Sequence, residues 1–122
     1  MTPDRPVVLI VEDEPLLRLY ASDTFEDIGY EVIEAANADE ALVILESRAD
    51  IRVLFTDIQM PGSIDGLKLA RAVRDRWPPI TVIVTSGLTD PRAIAMPEGG
   101  AFVRKPYGPA QIETALRDFG NA

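Results

Sequence analysis

The sequence predicts an α/β fold: a doubly wound sheet of five parallel strands, in the order 2-1-3-4-5, with helices on both faces. Apolar runs of strand length alternate along the chain with segments of helical spacing. The five predicted strands are 6–11, 31–35, 53–57, 80–85 and 101–103. This alternation favours parallel pairing with right-handed crossovers, and continuous apolar runs are typical of strands that are covered on both faces. A chain of 122 residues has the length of one domain, and we expect its core to cover about 6–119.

Turn and capping residues set the ends of the predicted helices. Proline is tolerated in a first helical turn, glycine often follows a last one, and Asn37 with Glu40 fits a capping box. The boundary residues are Pro15 and Gly29, Asn37, Asp65 and Pro78, and Pro109. The positions expected to face the sheet are Leu17, Tyr20, Ala21, Thr24, Phe25, Ile28, Ala41, Leu42, Leu45, Leu67, Ala70, Val73, Trp77, Ile112, Ala115, Leu116 and Phe119. Between the last two strands, residues 89–97 have room only for a short or irregular helix. The element count and chain length fit a flavodoxin-like arrangement.

Two residue types that serve many active sites are missing from the sequence. It has no cysteine, which excludes disulfides, thiolate ligands and cysteine nucleophiles, and no histidine, which excludes histidine triads and histidine metal ligands. The net charge of −8 argues against nucleic acid or an anionic membrane as the main partner. The first six residues have no signal-peptide pattern and no apolar run reaches the length of a membrane span, so we expect a soluble, cytoplasmic protein.

Polar side chains follow four of the predicted strands. They are Glu12 and Asp13 after the first strand, Asp57 at the end of the third, Ser86 after the fourth and Lys105 after the fifth. Because neighbouring parallel strands end at one edge of the sheet, roughly 5 Å apart, these groups are expected to share a shallow pocket. Each also has an ordinary local role, such as a helix cap, a turn residue or a surface lysine. Their combination at four strand ends favours a functional site.

Three carboxylates in one pocket repel each other and need a compensating charge. A hard cation with oxygen ligands supplies it without histidine or cysteine, and Mg²⁺ suits a partly hydrated carboxylate site. With Mg²⁺ and Lys105 nearby, Asp57 could act as a nucleophile toward a phosphoryl group.

Four short motifs carry a resemblance to a known family. They are Val-Glu-Asp-Glu at 11–14, Asp-Ile-Gln-Met-Pro at 57–61, Ser-Gly at 86–87 and Lys-Pro at 105–106. Together they resemble the response-regulator receiver domains of two-component signalling, over roughly 7–119. The resemblance implies a five-stranded doubly wound fold. It also implies transfer of a phosphoryl group from a sensor histidine kinase, or a histidine phosphotransfer protein, onto an aspartate.

The resemblance also implies a role for each matching residue. Asp57 would be the phosphoacceptor and Lys105 would contact the phosphoryl group. Asp13 would bind Mg²⁺ directly, Glu12 would assist, and the backbone carbonyl of Gln59 would supply a further ligand alongside Asp57.

Two further positions match the family's conformational switch. Ser86 corresponds to the switch hydroxyl, since Gly87 aligns with the small residue that follows it and strand alternation turns Thr85 the other way. Phe102, three residues before Lys105, corresponds to the aromatic residue whose rotamer accompanies activation, although it also fits a plain core position. The implied coupling is a population shift in which Ser86 moves toward the phosphoryl group and Phe102 fills the vacated space.

The sequence departs from the family pattern in two places. The loop at 62–66 is slightly longer than usual, and the segment between Ser86 and Lys105 is shorter, so we expect a short or irregular fourth helix and a changed partner surface around it. Because the chain stops at Ala122, we expect a stand-alone receiver with no nucleic-acid-binding or enzymatic output domain. It would switch contacts with an unknown downstream protein or relay phosphate, with only its own phosphorylation and dephosphorylation as activity.

Other function classes make different demands on the sequence. A phosphatase of the haloacid-dehalogenase type needs an aspartate where Gln59 stands, and a flavin-binding protein needs a hydroxyl- and glycine-rich loop where residues 12–14 are acidic. A receiver that serves only as an unphosphorylated binding module stays open as an alternative.

Overall fold

A parallel five-stranded sheet forms the centre of the protein, as seen in a computed structural model that describes residues 5–59, 65–87 and 99–119. The elements, in chain order, are β1 (Val7–Val11), α1 (Pro15–Asp27), β2 (Glu31–Ala35), α2 (Ala38–Ser47), β3 (Ile51–Asp57), α3 (Gly66–Arg76), β4 (Thr81–Ser86), β5 (Ala101–Arg104) and α4 (Pro109–Phe119). The strand order is β2-β1-β3-β4-β5 and every neighbouring pair is parallel. The predicted fold class and strand order are therefore confirmed.

The core has two layers, one on each face of the sheet. Successive strand residues point to opposite faces, so Leu54 and Phe55 of β3 enter different layers. The layer beneath α2 and α3 includes Leu9, Leu54, Val82, Leu45, Leu69 and Val73. The layer beneath α1 and α4 includes Val8, Ile10, Phe55, Ile83, Phe25 and Ile112. With both faces covered, the carboxyl-terminal edge of the strands presents their polar end residues to ligands.

Helix ends follow the predicted chemistry closely. The Asn37 side chain accepts a hydrogen bond from the Glu40 N–H at 2.8 Å, and the Glu40 carboxylate accepts one from the Ala36 N–H at 3.0 Å. Asp65 caps α3 by accepting from the Lys68 N–H at 2.9 Å. Gly29, which follows α1, has a φ of 101°, a backbone conformation that favours glycine.

Some predicted details are wrong. Leu17 and Tyr20 are 42% and 44% exposed, because α1 turns Ala21 and Ser22 toward the sheet and leaves the two larger residues at the margin. In α3, Leu69 is fully buried while Leu67 is only partly buried. The fourth strand extends through Ser86, one residue further than predicted.

Other predictions concern parts of the chain that are not described. The short helix predicted within 89–97, most of the longer loop at 62–66 and the side chain of Phe119 lie outside the described residues. Among the helices of the described ranges, none is both long enough and apolar enough to cross a membrane.

Candidate functional site

The carboxyl ends of β1, β3, β4 and β5 bring the predicted site residues together. Asp57 closes β3 opposite Thr85 of β4, and Ser86 closes β4 opposite Arg104 of β5. The main-chain N–H of Lys105 donates to the Ser86 carbonyl at 3.1 Å, which continues the pairing of these two strands by one step. The register of the sheet, rather than any local sequence, therefore sets the spacing of these side chains.

Lys105 links two buried carboxylates. Its Nζ lies 2.8 Å from Oδ2 of Asp57 and 3.2 Å from Oε1 of Glu12. Glu12 and Asp57 are each only 5% exposed. A buried carboxylate needs a partner to offset its lost hydration, and the ammonium provides one for both.

Backbone N–H groups fix the other oxygens of the same two carboxylates. Oε2 of Glu12 accepts from the Glu14 N–H at 3.2 Å, and Oδ1 of Asp57 accepts from the Gln59 N–H at 3.3 Å. Each carboxylate thus has one oxygen on the backbone and one on Lys105. This arrangement fixes the orientation of both carboxylates.

Glu12, Asp57 and the exposed Asp13 form a cluster suited to a hard cation. Each offers an oxygen, and these three oxygens lie within 4.8 Å of one another. An all-oxygen donor set with an exposed member fits a divalent ion that keeps part of its water shell. The chemistry of the donors thus agrees with a metal site, and these are the residues that could hold the ion.

Burial and neighbouring charges shift the pKa values of Glu12 and Lys105. Burial raises its pKa from an ordinary 4.5 to about 7, with the Asp57 charge adding to the rise, while the Glu14 N–H and Lys105 oppose it. Burial alone would lower the pKa of Lys105, but its hydrogen bonds and ion pairs with Asp57 and Glu12 outweigh burial and raise it. Lys105 therefore stays charged at neutral pH.

Two adjacent hydroxyls at the end of β4 have different surroundings. Ser86 is fully buried, and its Oγ donates to Oε1 of Gln59 at 2.9 Å. Thr85 is also buried, but its Oγ1 has no hydrogen-bond partner within the described part of the chain. Strand alternation turns these neighbours to opposite faces, and Ser86 is the one that contacts the loop after Asp57.

Phe102 lies on β5, three residues before Lys105. Its side chain is half-buried, so it is not a fully enclosed core residue. It lines a cleft of about 580 Å³ between β5 and α4, whose lining also includes Lys105, Gln111, Thr114 and Asp118.

Arg18 and Glu34 support the site but could not be predicted from the sequence. Arg18 of α1 donates from Nη1 to the Glu12 carbonyl at 2.8 Å and from Nε to Oε1 of Glu34 at 3.0 Å. The only sequence feature that pointed to this contact is the position of the arginine, one turn into the helix that follows the acidic loop. Its contact with β2 depends on how α1 is rotated on the sheet, which the sequence pattern did not determine.

Comparisons with known proteins identify relatives of this chain in sequence and in fold. A family model described as the response regulator receiver domain matches residues 8–117. The aerobic respiration control protein ArcA of Escherichia coli (strain K12) is 35% identical over 115 residues, which cover 93% of this chain and 48% of ArcA. The chain thus spans about half the length of that relative.

Two further comparisons extend the match. The sensor kinase CckA of Brucella abortus (strain 2308) is 34% identical over 115 residues, covering 91% of this chain and 12% of CckA. The crystal structure of a response regulator receiver protein from Sinorhizobium medicae WSM419 superposes with a TM-score of 0.84 at 27% identity, covering 95% of this chain and 94% of that one. Sequence, fold and the acidic cluster agree, and the chain belongs to the family of response-regulator receiver domains of two-component signalling.

Proposed function

We propose that this receiver accepts a phosphoryl group on Asp57 from a phosphorylated histidine of a sensor kinase or a histidine phosphotransfer protein. The observation that carries the proposal is the pairing of buried Asp57 with Lys105 at 2.8 Å, beside a cluster of two more carboxylates. These 122 residues contain no histidine, so the phosphohistidine donor lies outside this sequence.

The transfer step is a displacement at phosphorus. A carboxylate oxygen of Asp57 attacks the phosphorus, an O–P bond forms, and the P–N bond to the donor imidazole breaks. The imidazole leaves with the electron pair of that bond and takes up a proton. Lys105 would pair with phosphoryl oxygens, and the contact of its Nζ with the acceptor carboxylate supports this role.

We assign the cation site to Glu12, Asp13 and Asp57, with the backbone carbonyl of Gln59 as a further ligand. The support is the all-oxygen cluster within 4.8 Å, which suits Mg²⁺ better than a soft metal. When bound, Mg²⁺ would supply positive charge to the phosphoryl oxygens during transfer. The Glu14 and Gln59 N–H groups hold the carboxylates of Glu12 and Asp57 in place, which would fix the position of the bound ion.

Ser86 and Phe102 are proposed as the switch. The Ser86 hydroxyl donates to the Gln59 side chain in this structure, so donation to a phosphoryl oxygen would require it to exchange partners. Phe102 is half-buried beside the cleft between β5 and α4, which leaves it room for a second packing. Phosphorylation would then shift the population between two packings of these residues.

The proposed partners follow from the surface around the pocket. Leu16 and Leu19 of α1 are 74% and 54% exposed, on the helix that begins directly after the acidic loop. Apolar side chains at this position suit a phosphodonor protein whose histidine must reach Asp57. We propose that the downstream partner is also a protein, since the net charge of −8 disfavours direct nucleic-acid binding. The domain would act as a signalling phosphoacceptor rather than an enzyme, in the cytoplasm where sensor kinases phosphorylate their receivers.

The assignment of the acceptor is tested by site mapping. The protein is incubated with Mg²⁺ and phosphoramidate, a small donor with the same P–N bond as phosphohistidine, and the modified position is read by tandem mass spectrometry. We expect modification at Asp57. Modification of Asp13 instead would overturn the assignment, and no modification by this donor or by a phosphorylated kinase would favour a binding-only receiver.

A further inference from the structure

The acidic loop between β1 and α1 is not fixed by an ordinary helix cap. Glu14, at the cap position of α1, makes no side-chain capping hydrogen bond, and Pro15 supplies no N–H as the first helical residue. Yet this loop carries two of the three carboxylates of the cluster. Contacts other than a side-chain cap therefore hold it in place.

One of these contacts comes from Arg18, one turn into α1. Its Nη1 donates to the main-chain carbonyl of Glu12 at 2.8 Å, while its Nε pairs with Oε1 of Glu34 at 3.0 Å. The other oxygen of Glu34 accepts from the Oγ of Ser22, a buried residue, at 2.9 Å. Glu34 of β2, itself hydrogen-bonded to Ser22 of α1, therefore fixes the guanidinium, and the guanidinium in turn binds the loop through the Glu12 carbonyl.

The same stretch of β2 holds the other backbone group of Glu12. The Glu12 N–H donates to the Ala35 carbonyl at 3.1 Å, and Ala35 is the neighbour of Glu34. The N–H and the carbonyl of Glu12 are thus both hydrogen-bonded to residues outside the acidic cluster. Its side chain can then present its two oxygens to the Glu14 N–H and Lys105.

We propose that Arg18 is a positioning residue for the cation site, held in place by Glu34 and Ser22. It fixes the backbone of the loop so that Glu12 and Asp13 meet Asp57 with their oxygens at ligand spacing. The proposal rests on the cation site of the proposed function. Outer residues that orient metal ligands change metal affinity by about 10- to 100-fold when they are removed.

The effect of removing Arg18 on Mg²⁺ affinity has opposite signs if the residue acts through its charge and if it positions the loop. Removing a cation from the neighbourhood of three carboxylates makes the local potential more negative, which by itself tightens binding of a divalent cation. Loss of the contact with the Glu12 carbonyl lets the loop move, which weakens binding. The sign of the change in affinity therefore separates a positioning role from a purely electrostatic one.

The experiment measures the dissociation constant for Mg²⁺ by isothermal titration calorimetry, with no phosphodonor present. The variants are Arg18→Ala, Arg18→Lys and Ser22→Ala, each checked by circular dichroism and thermal unfolding. Arg48→Ala is the matched control, because Arg48 is also ion-paired, with Asp50 at 2.6 Å and Glu31 at 3.9 Å, but contacts the opposite end of β2.

We expect Arg18→Ala to weaken Mg²⁺ binding by about tenfold, Arg18→Lys by less, and Ser22→Ala by about two- to threefold, while Arg48→Ala leaves it unchanged. Unchanged or tighter binding in folded Arg18→Ala would overturn the positioning role. If that variant does not fold, Arg18→Lys and Ser22→Ala decide the matter, and full affinity in both would overturn it equally. Absence of Mg²⁺ binding in the unsubstituted protein would instead overturn the cation site itself, and the positioning role with it.

Discussion

The Nζ of Lys105 lies 2.8 Å from Asp57 and 3.2 Å from Glu12, so one ammonium spans two buried carboxylates that come from different strand ends. Lys105 follows β5 and Asp57 ends β3, with β4 between them. In the absence of a divalent cation, this contact offsets the repulsion between the two acids. The pocket is therefore preorganised, with a positive charge already beside the proposed acceptor.

Lys105→Ala should destabilise the fold and make its stability depend on cations. Loss of the ammonium leaves the Asp57 and Glu12 carboxylates without their shared partner, at a cost of about 1–3 kcal/mol in free energy of unfolding. Mg²⁺ should then stabilise the variant more than the unsubstituted protein, because no lysine competes for the carboxylates. Urea unfolding with and without Mg²⁺ measures both effects, with Lys68→Ala, a change at an exposed lysine of α3, as the control. An equal response to Mg²⁺ in all three proteins would contradict the bridging role.

Stability without divalent cations should depend on pH through Glu12. Its pKa is raised by burial from 4.5 in the unfolded chain to about 7 in the fold, so between these values the folded protein binds more protons than the unfolded one. The contribution of Glu12 to stability therefore falls as pH rises from about 4.5 to about 7 and is then constant. The variant Glu12→Gln has no titrating group at this position. Its free energy of unfolding, relative to that of the unsubstituted protein, should therefore increase as pH rises over that range. Chemical unfolding at several pH values in EDTA checks the sign, and a difference that shrinks as pH rises would refute it.

Ser86→Ala should uncouple Phe102 from phosphorylation without unfolding the protein. The change removes one buried hydroxyl and its hydrogen bond to Gln59, at about 1 kcal/mol. The variant should still be phosphorylated, but the NMR signals of Phe102 should change less on phosphorylation than in the unsubstituted protein. Thr85→Val is the matched control: it removes the neighbouring hydroxyl, which has no partner within the described ranges, and should be neutral or slightly stabilising with a full Phe102 response. Equal Phe102 responses in Ser86→Ala and the unsubstituted protein would exclude Ser86 as the link.

The sequence was sufficient to predict the parallel sheet and the residues at its carboxyl edge. Asp57 and Lys105 are far apart in the chain, but the first ends a predicted strand and the second closely follows another, and strand order then brings them together. Ser86 was distinguished from Thr85 by its match to the family motif, with which alternation along β4 agrees, and the two hydroxyls do have different surroundings. For such residues, local pattern and topology are enough.

Contacts that depend on the rotation of a helix could not be predicted in the same way. Leu17 and Tyr20 have helical spacing but lie at the exposed margin of α1, whose buried positions include Ala21 and Ser22. The same rotation lets Arg18 reach Glu34 on β2. Periodicity identifies a helix and its apolar side broadly, while packing against the sheet determines which residue lies at the centre of that side.

The central claim, that Asp57 is the phosphoacceptor, is tested most directly by the intact mass of the protein after incubation with Mg²⁺ and acetyl phosphate. The unsubstituted protein is compared with Asp57→Asn, and with Asp50→Asn as a control at an exposed aspartate that is paired with Arg48. We predict the added mass of one phosphoryl group in the unsubstituted protein and in Asp50→Asn, and none in Asp57→Asn. Equal labelling of Asp57→Asn would contradict the claim.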